Sequence, residues 1–232
     1  GTARLDGECG AGKQKAGDNG LTGGYSQFFG LNHSMELSDG LMLTNALRYD
    51  IHQLESNRSI SYTGVNQTAD SDNSQQSLEW RSQFSKGFDV AEGLNLTPSA
   101  GLKMRHVAND AYSERGAGDF NLSMDASDET AVDALIGMKL KYASSNGWAV
   151  NALVEGGPNI SYSQSGQTAS LQGAGNARFN VDGEQKGGGI NSAATVGVSY
   201  SGKSGHLAFD AYQWKEDNVS DKGILMNYKY AF

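Results

Sequence analysis

The 232-residue chain has little of what usually holds a soluble domain together. It has one cysteine, Cys9, so no disulfide can form within it. It has two prolines, which excludes a proline-rich extended chain. Only 38% of its residues are hydrophobic, and no apolar run approaches the ~18 residues that a membrane helix needs. Basic residues are outnumbered, with 18 Lys and Arg against 26 Asp and Glu, so no basic stripe awaits phosphates and no nucleic-acid partner is expected. The opening Gly1-Thr2-Ala3-Arg4-Leu5-Asp6 contains no apolar signal-peptide core.

What is present is glycine, at 31 residues, and alternation. In residues 41–51, Leu41, Leu43, Leu47, Tyr49 and Ile51 share one face, broken by Asn45, while Met42, Thr44, Ala46, Arg48 and Asp50 share the other. The same period of two runs through residues 94–104, 134–142 and 148–162, more weakly through 75–84, and again in 194–200, 207–211 and 224–232. The first good strand covers about residues 23–37. That makes about nine strands and no amphipathic helix. Residues 1–20 read as a flexible glycine-rich segment and 21–232 as one all-β domain.

The connections alternate too. Residues 38–40, 86–93, 144–147 and 201–205 are short and rich in turn formers, whereas 55–73, 108–128 and 164–189 are long and polar; 216–221 is shorter but charged. Short turns at one end and long loops at the other are the pattern of an antiparallel up-and-down transmembrane β-barrel, with the long loops outside the cell. A soluble sandwich or lipocalin-like barrel alternates as well, but buries its apolar face. Two features favour the membrane. Strands about ten residues long carry charge on the polar face, namely Arg48, Asp50, Glu79, Arg81, Lys103, Arg105, Asp133, Lys139, Lys141 and Glu155, as befits a wet lumen. Aromatic residues gather near strand ends, at Tyr142, Trp148, Tyr162, Tyr200 and Phe232, as in interfacial girdles. The expected setting is the outer membrane of a Gram-negative bacterium, with its lipid as one partner.

Ile224, Met226, Tyr228, Tyr230 and Phe232 occupy every second place back from the terminus. An amphipathic last strand ending in an aromatic resembles the sorting signal read by the barrel-assembly machinery. A closer resemblance is to the translocator domain of type V autotransporters. Leu96-Thr97-Pro98-Ser99-Ala100-Gly101-Leu102 looks like that family's "LTPxAGL" strand, residues 77–88 like its neighbour, Gly147-Trp148 with Glu155 like its Trp-rich strand, and residues 227–232 like its closing strand. The resemblance covers about residues 20–232. It implies a twelve-stranded barrel with a helical segment in the pore leading to a secreted upstream passenger. Nine strands would match the family's last nine, so the strands that close the barrel are expected from the upstream precursor or from a partner chain.

Rival chemistry is weak. Residues 7–13 match the first seven places of a P-loop, but Gln14 stands where Ser or Thr should meet magnesium. His33, His52, His106 and His206 lack metal-ligand spacing. Residues 197–201 miss the final glycine of a nucleophile elbow. Asp70 and Asp72, and the loop acids Asp110, Glu114 and Asp119, read as solvated. No enzyme activity, cofactor or metal is expected. The leading reading is a translocator that anchors and helps export a passenger. The alternatives are a stand-alone adhesin or invasion barrel, and a hydrolase with its site at the rim. The lumen charges either pair across strands to keep the pore wet or line a transport path.

Overall fold

The computed structural model describes residues 3–13, 20–175, 177–181, 189–202, 205–216 and 219–230. Its strands are β1 (Ala3–Lys13), β2 (Leu21–Ser38), β3 (Leu41–Tyr62), β4 (Val65–Lys86), β5 (Phe88–Ala91), β6 (Leu94–Asn109), β7 (Tyr112–Ser113), β8 (Leu122–Met124), β9 (Ser127–Ala143), β10 (Trp148–Gln164), β11 (Gln167–Leu171), β12 (Arg178–Val181), β13 (Ile190–Gly202), β14 (Gly205–Glu216) and β15 (Val219–Tyr230). Ten long strands form one sheet in the order β1-β2-β3-β4-β6-β9-β10-β13-β14-β15, with short β5 paired to β6. Every pairing is antiparallel, so the sheet is an up-and-down meander. The turn between β2 and β3 sets Asp39 at φ 48° and Gly40 at φ 75°, the positive pair that suits the twist of a tight hairpin.

Register carries one face across the sheet. From Ser85 on β4 it runs through Ser99, Gly137, Glu155, Ala193 and Trp214 to Asp221 on β15. This face is concave, because side chains meet across it from strands that are not neighbours. Arg81 on β4 pairs with Glu155 on β10, and Arg105 on β6 pairs with Glu216 on β14. The convex face is apolar and uncovered, with Ile136 72% and Ile224 78% exposed. By contrast the largest fully buried side chain is Asp133, at 1% exposure. A soluble sandwich would bury the isoleucines and expose the aspartate. The reverse arrangement needs lipid outside and water within.

Five expectations change. The glycine-rich start is not a flexible segment over Ala3–Lys13, which pairs along its whole length with β2. Its local propensity is poor, but the edge of β2 supplies hydrogen-bond partners along one side of it. The sheet therefore has ten long strands rather than nine, and its first and last strands, β1 and β15, run in opposite directions. Both remain edge strands: among the described residues β1 pairs only with β2 and β15 only with β14. Residues 55–73 are not a loop but the upper parts of β3 and β4, each 22 residues long, turning at Thr63-Gly64. The polar stretches 108–128 and 164–189 hold a second sheet, ordered β12-β11-β8-β7. Lastly, a bulge between Asn159 and Ser161 reverses the phase of β10. Tyr162 then faces inward opposite Ala131 and Ser161 faces out, so Tyr162 does not belong to an outer girdle.

The fold predicts which end meets the outside. In a Cys9→Ser background, Thr63→Cys at the long hairpin tip should react with a membrane-impermeant maleimide on intact cells, and Ser145→Cys in a short turn should not. Labelling of Ser145→Cys alone would reverse the orientation.

Candidate functional site

The structure places all ten charges singled out above on the concave face. Arg48 grips Asp50 through its Nη2 at 2.7 Å and lies over the Phe28 ring, 4.1 Å from the centroid. Glu79 stands in register between Arg48 and Arg105. Arg81 pairs with Glu155, whose carboxylate also accepts from Gln83 Nε2 at 3.1 Å. Lys103 stands 3.8 Å from Asp133 and 2.8 Å from Glu216. Arg105 reaches Glu129 at 3.3 Å and also Glu216. Asn159 Nδ2 donates to Asp133 Oδ1 at 2.8 Å. Lys139 and Lys141 have no carboxylate partner among the described residues.

Space for these crossings is made by small residues. A Cβ on Gly137 would lie 2.7 Å from Ser99 Oγ and 3.5 Å from Glu155 Oε2, so this glycine clears the path by which Glu155 reaches β4. A cavity of about 80 Å³ lies beside Lys103, Glu155, Asn191, Trp214 and Glu216. Glu129 and Glu216 escaped the sequence reading. Glu216 lay in what read as a connection, although it continues the phase of Tyr212 and Trp214.

The C-terminal row lies on the opposite face. Ile224, Met226, Tyr228 and Tyr230 all point outward and are exposed; Phe232 lies outside the described residues. Trp148, Tyr200, Leu207 and Tyr228 form one register row near the short turns, with the Trp148 and Tyr200 rings 5.1 Å apart. The P-loop-like residues 7–13 lie in strand β1, neither a nucleotide cradle nor a loop. Asp70 and Asp72 lie in β4, and Asp72 pairs with Arg115 at 2.7 Å. No group of three or more His, Cys, Asp or Glu suited to a metal ion occurs among the described residues.

At the outer rim, Arg58 donates from Nε to Glu114 Oε1 at 3.0 Å and from Nη2 to Glu114 Oε2 at 2.6 Å and to the Phe120 carbonyl at 2.9 Å. The Leu122 N–H also donates to Glu114, at 2.8 Å. Burial pushes the Glu114 carboxyl upward, but the Arg58 contact and the Leu122 N–H outweigh it and hold the pKa below its usual value. The contact therefore stabilises the rim at neutral pH. That contribution fades as pH falls from the ordinary carboxylate range through the lowered value.

A curled antiparallel sheet with a charged hollow and an apolar exterior defines a membrane β-barrel wall. The profile of the autotransporter β-domain family matches residues 1–211, and the chain belongs to that family. It is the translocator domain of an autotransporter, set in the outer membrane of a Gram-negative bacterium, and membership implies a passenger domain upstream. The chain is 57% identical over its full length to BigA of Salmonella typhimurium strain LT2, a protein named as a surface-exposed virulence protein, and spans 12% of that relative's length. Its fold is similar to the translocator domain of the autotransporter NalP from Neisseria meningitidis, with a TM-score of 0.65, 14% identity, and coverage of 99% of this chain and 80% of that one.

The inner wall predicts its own energetics. Arg81→Met leaves Glu155 largely buried with its cation gone, and should cost about 1–3 kcal/mol. This would be read as a lower temperature for loss of the heat-modifiable folded band. Adding Glu155→Gln should recover part of the loss. A double variant as destabilised as the sum of the two single changes would show that the two groups do not interact.

Proposed function

We propose that the concave face is the wall along which the passenger reaches the cell surface, and that its charges keep this wall wet and non-adhesive. The observation that carries the reading is the inversion of burial. Asp133, Glu155 and Asn191 are buried within, while large apolar side chains face out. An extended polypeptide crossing such a hollow meets, along much of the wall, ion pairs that already satisfy one another. No step calls for a catalytic group. Lys139 and Lys141, with no carboxylate partner among the described residues, are available for transient contact with whatever passes.

The outward row Ile224, Met226, Tyr228 and Tyr230, with Phe232, is proposed as the signal that the barrel-assembly machinery reads. The open edges of β1 and β15 are proposed to meet further strands, from the upstream precursor or a partner chain, because hydrocarbon offers no partner to bare N–H and C=O groups. For the whole protein, surface exposure and a part in virulence follow the Salmonella relative.

The test uses the full precursor with an epitope in its passenger. Tyr228→Ser with Tyr230→Ser should lower both the heat-modifiable barrel and the surface epitope several-fold. Full display of the epitope with no folded barrel in the membrane would overturn the translocator reading. A folded barrel at normal level would overturn the role of the row.

A further inference from the structure

The outer connections are built into a single folded cap, and alternation fixes which side of the wall it stands on. β3 and β4 pair without a register shift from Leu41 opposite Lys86 to Tyr62 opposite Val65. The inward phase set by Arg48 and Arg81 therefore continues above the membrane to Arg58 and Tyr62 on β3, and to Ala69 and Ser71 on β4. These are the positions that something covers. Ala69 is 1% and Ser71 6% exposed, while Asp70 and Asp72 between and beside them are exposed.

The cover is the connection that follows β6. Beyond Asn109 the chain follows the free edge of β4, where Asp70 and Arg115 exchange backbone hydrogen bonds of 2.8 and 2.9 Å. Glu114 turns to the inner side and meets Arg58, and Arg115 turns to the outer side and meets Asp72. The chain then folds inward. Ala117 is fully buried, and the Phe120 ring packs edge-on against Tyr62 with centroids 5.7 Å apart. From there β8 pairs with β11, which belongs to the connection after β10. Asp125 takes Thr168 and Arg178 from that same connection. The cap thus runs from the pore side of the β3–β4 hairpin to the strands beyond β10, across the span of wall between them.

We infer that residues 112–124 form a lid over the outer mouth of the pore, latched by Arg58 and Tyr62 of the β3–β4 hairpin, and that a chain leaving the barrel must lift it. The inference rests on the translocator reading for what passes, and on the geometry alone for what closes. The latch is weak enough to open. It consists of the ion pair with Arg58, which is half in water, the exposed Arg115–Asp72 pair, the two-bond bridge between Asp70 and Arg115, a few other hydrogen bonds and one ring contact.

The experiment uses the full-length protein with Cys9→Ser, Tyr62→Cys and Phe120→Cys, bridged by a short bis-methanethiosulfonate and inserted in planar bilayers. The bridged protein should hold a low conductance, and reductant should raise it several-fold. Arg58→Ala with Glu114→Ala should conduct more than the parent without any bridge. Failure of the two cysteines to bridge in folded protein, or equal conductance in the bridged, reduced and unlatched forms, none included, would overturn the lid. Conductance that depends on the bridge in a protein that displays no passenger would keep the lid and overturn the export reading instead.

Discussion

Backbone N–H and C=O groups find no partner in hydrocarbon, so a strand that crosses a bilayer must be paired along its length. The long ladders of this sheet follow from that requirement. β1 illustrates how strongly it acts. With Gly7, Gly10 and Gly12 it has little intrinsic preference for a strand, yet it pairs from Ala3 opposite Met35 to Lys13 opposite Tyr25. Phe28 lies over Gly10, where a Cβ would come within 2.4 Å of the ring. The aromatic thus covers the gap that glycine leaves.

Pairing fixes register, and register fixes polarity. Once the ladder is set, a one-residue slip would turn Lys103, Asp133 and Glu155 into lipid and Ile136 and Ile224 into the pore. The register shifts of the sheet lie toward strand ends, at Leu21/Gly23, Glu36/Ser38, Asp89/Ala91 and Asn159/Ser161, and beyond the last of these β10 runs on toward the outer cap. The inner charges then compensate one another across the hollow: Arg81 with Glu155, Lys103 and Arg105 with Glu216. Such pairs are costly to form and costlier to break. A wall made largely of such pairs is firm and offers a passing chain charges that already have partners.

Most of the membrane-spanning wall was legible in the sequence because its signal is local. Residues 94–104 and 134–142 alternate so regularly that face and strand follow together. The same method failed where the determinant is tertiary. β1 needs β2 beside it. Glu216 needs Arg105 from four strands away to be recognised as part of the wall. The cap is built from strands of two to five residues, too short for a period of two to register, and Ala69 and Ser71 gain meaning only when residues 114–121 fold onto them.

The central claim is that the two faces of this sheet meet different solvents. The chain's three tryptophans sample both: Trp80 and Trp148 lie on the convex face, and Trp214 lies on the concave face in line with Glu155. In full-length protein reconstituted with brominated lipid, variants retaining only Trp80 or only Trp148 in this domain should be quenched strongly. The variant retaining Trp214 should resist the lipid quencher and respond to aqueous acrylamide instead. Quenching of Trp214 by lipid, with Trp80 and Trp148 spared, would place the charged face in the membrane and contradict the account.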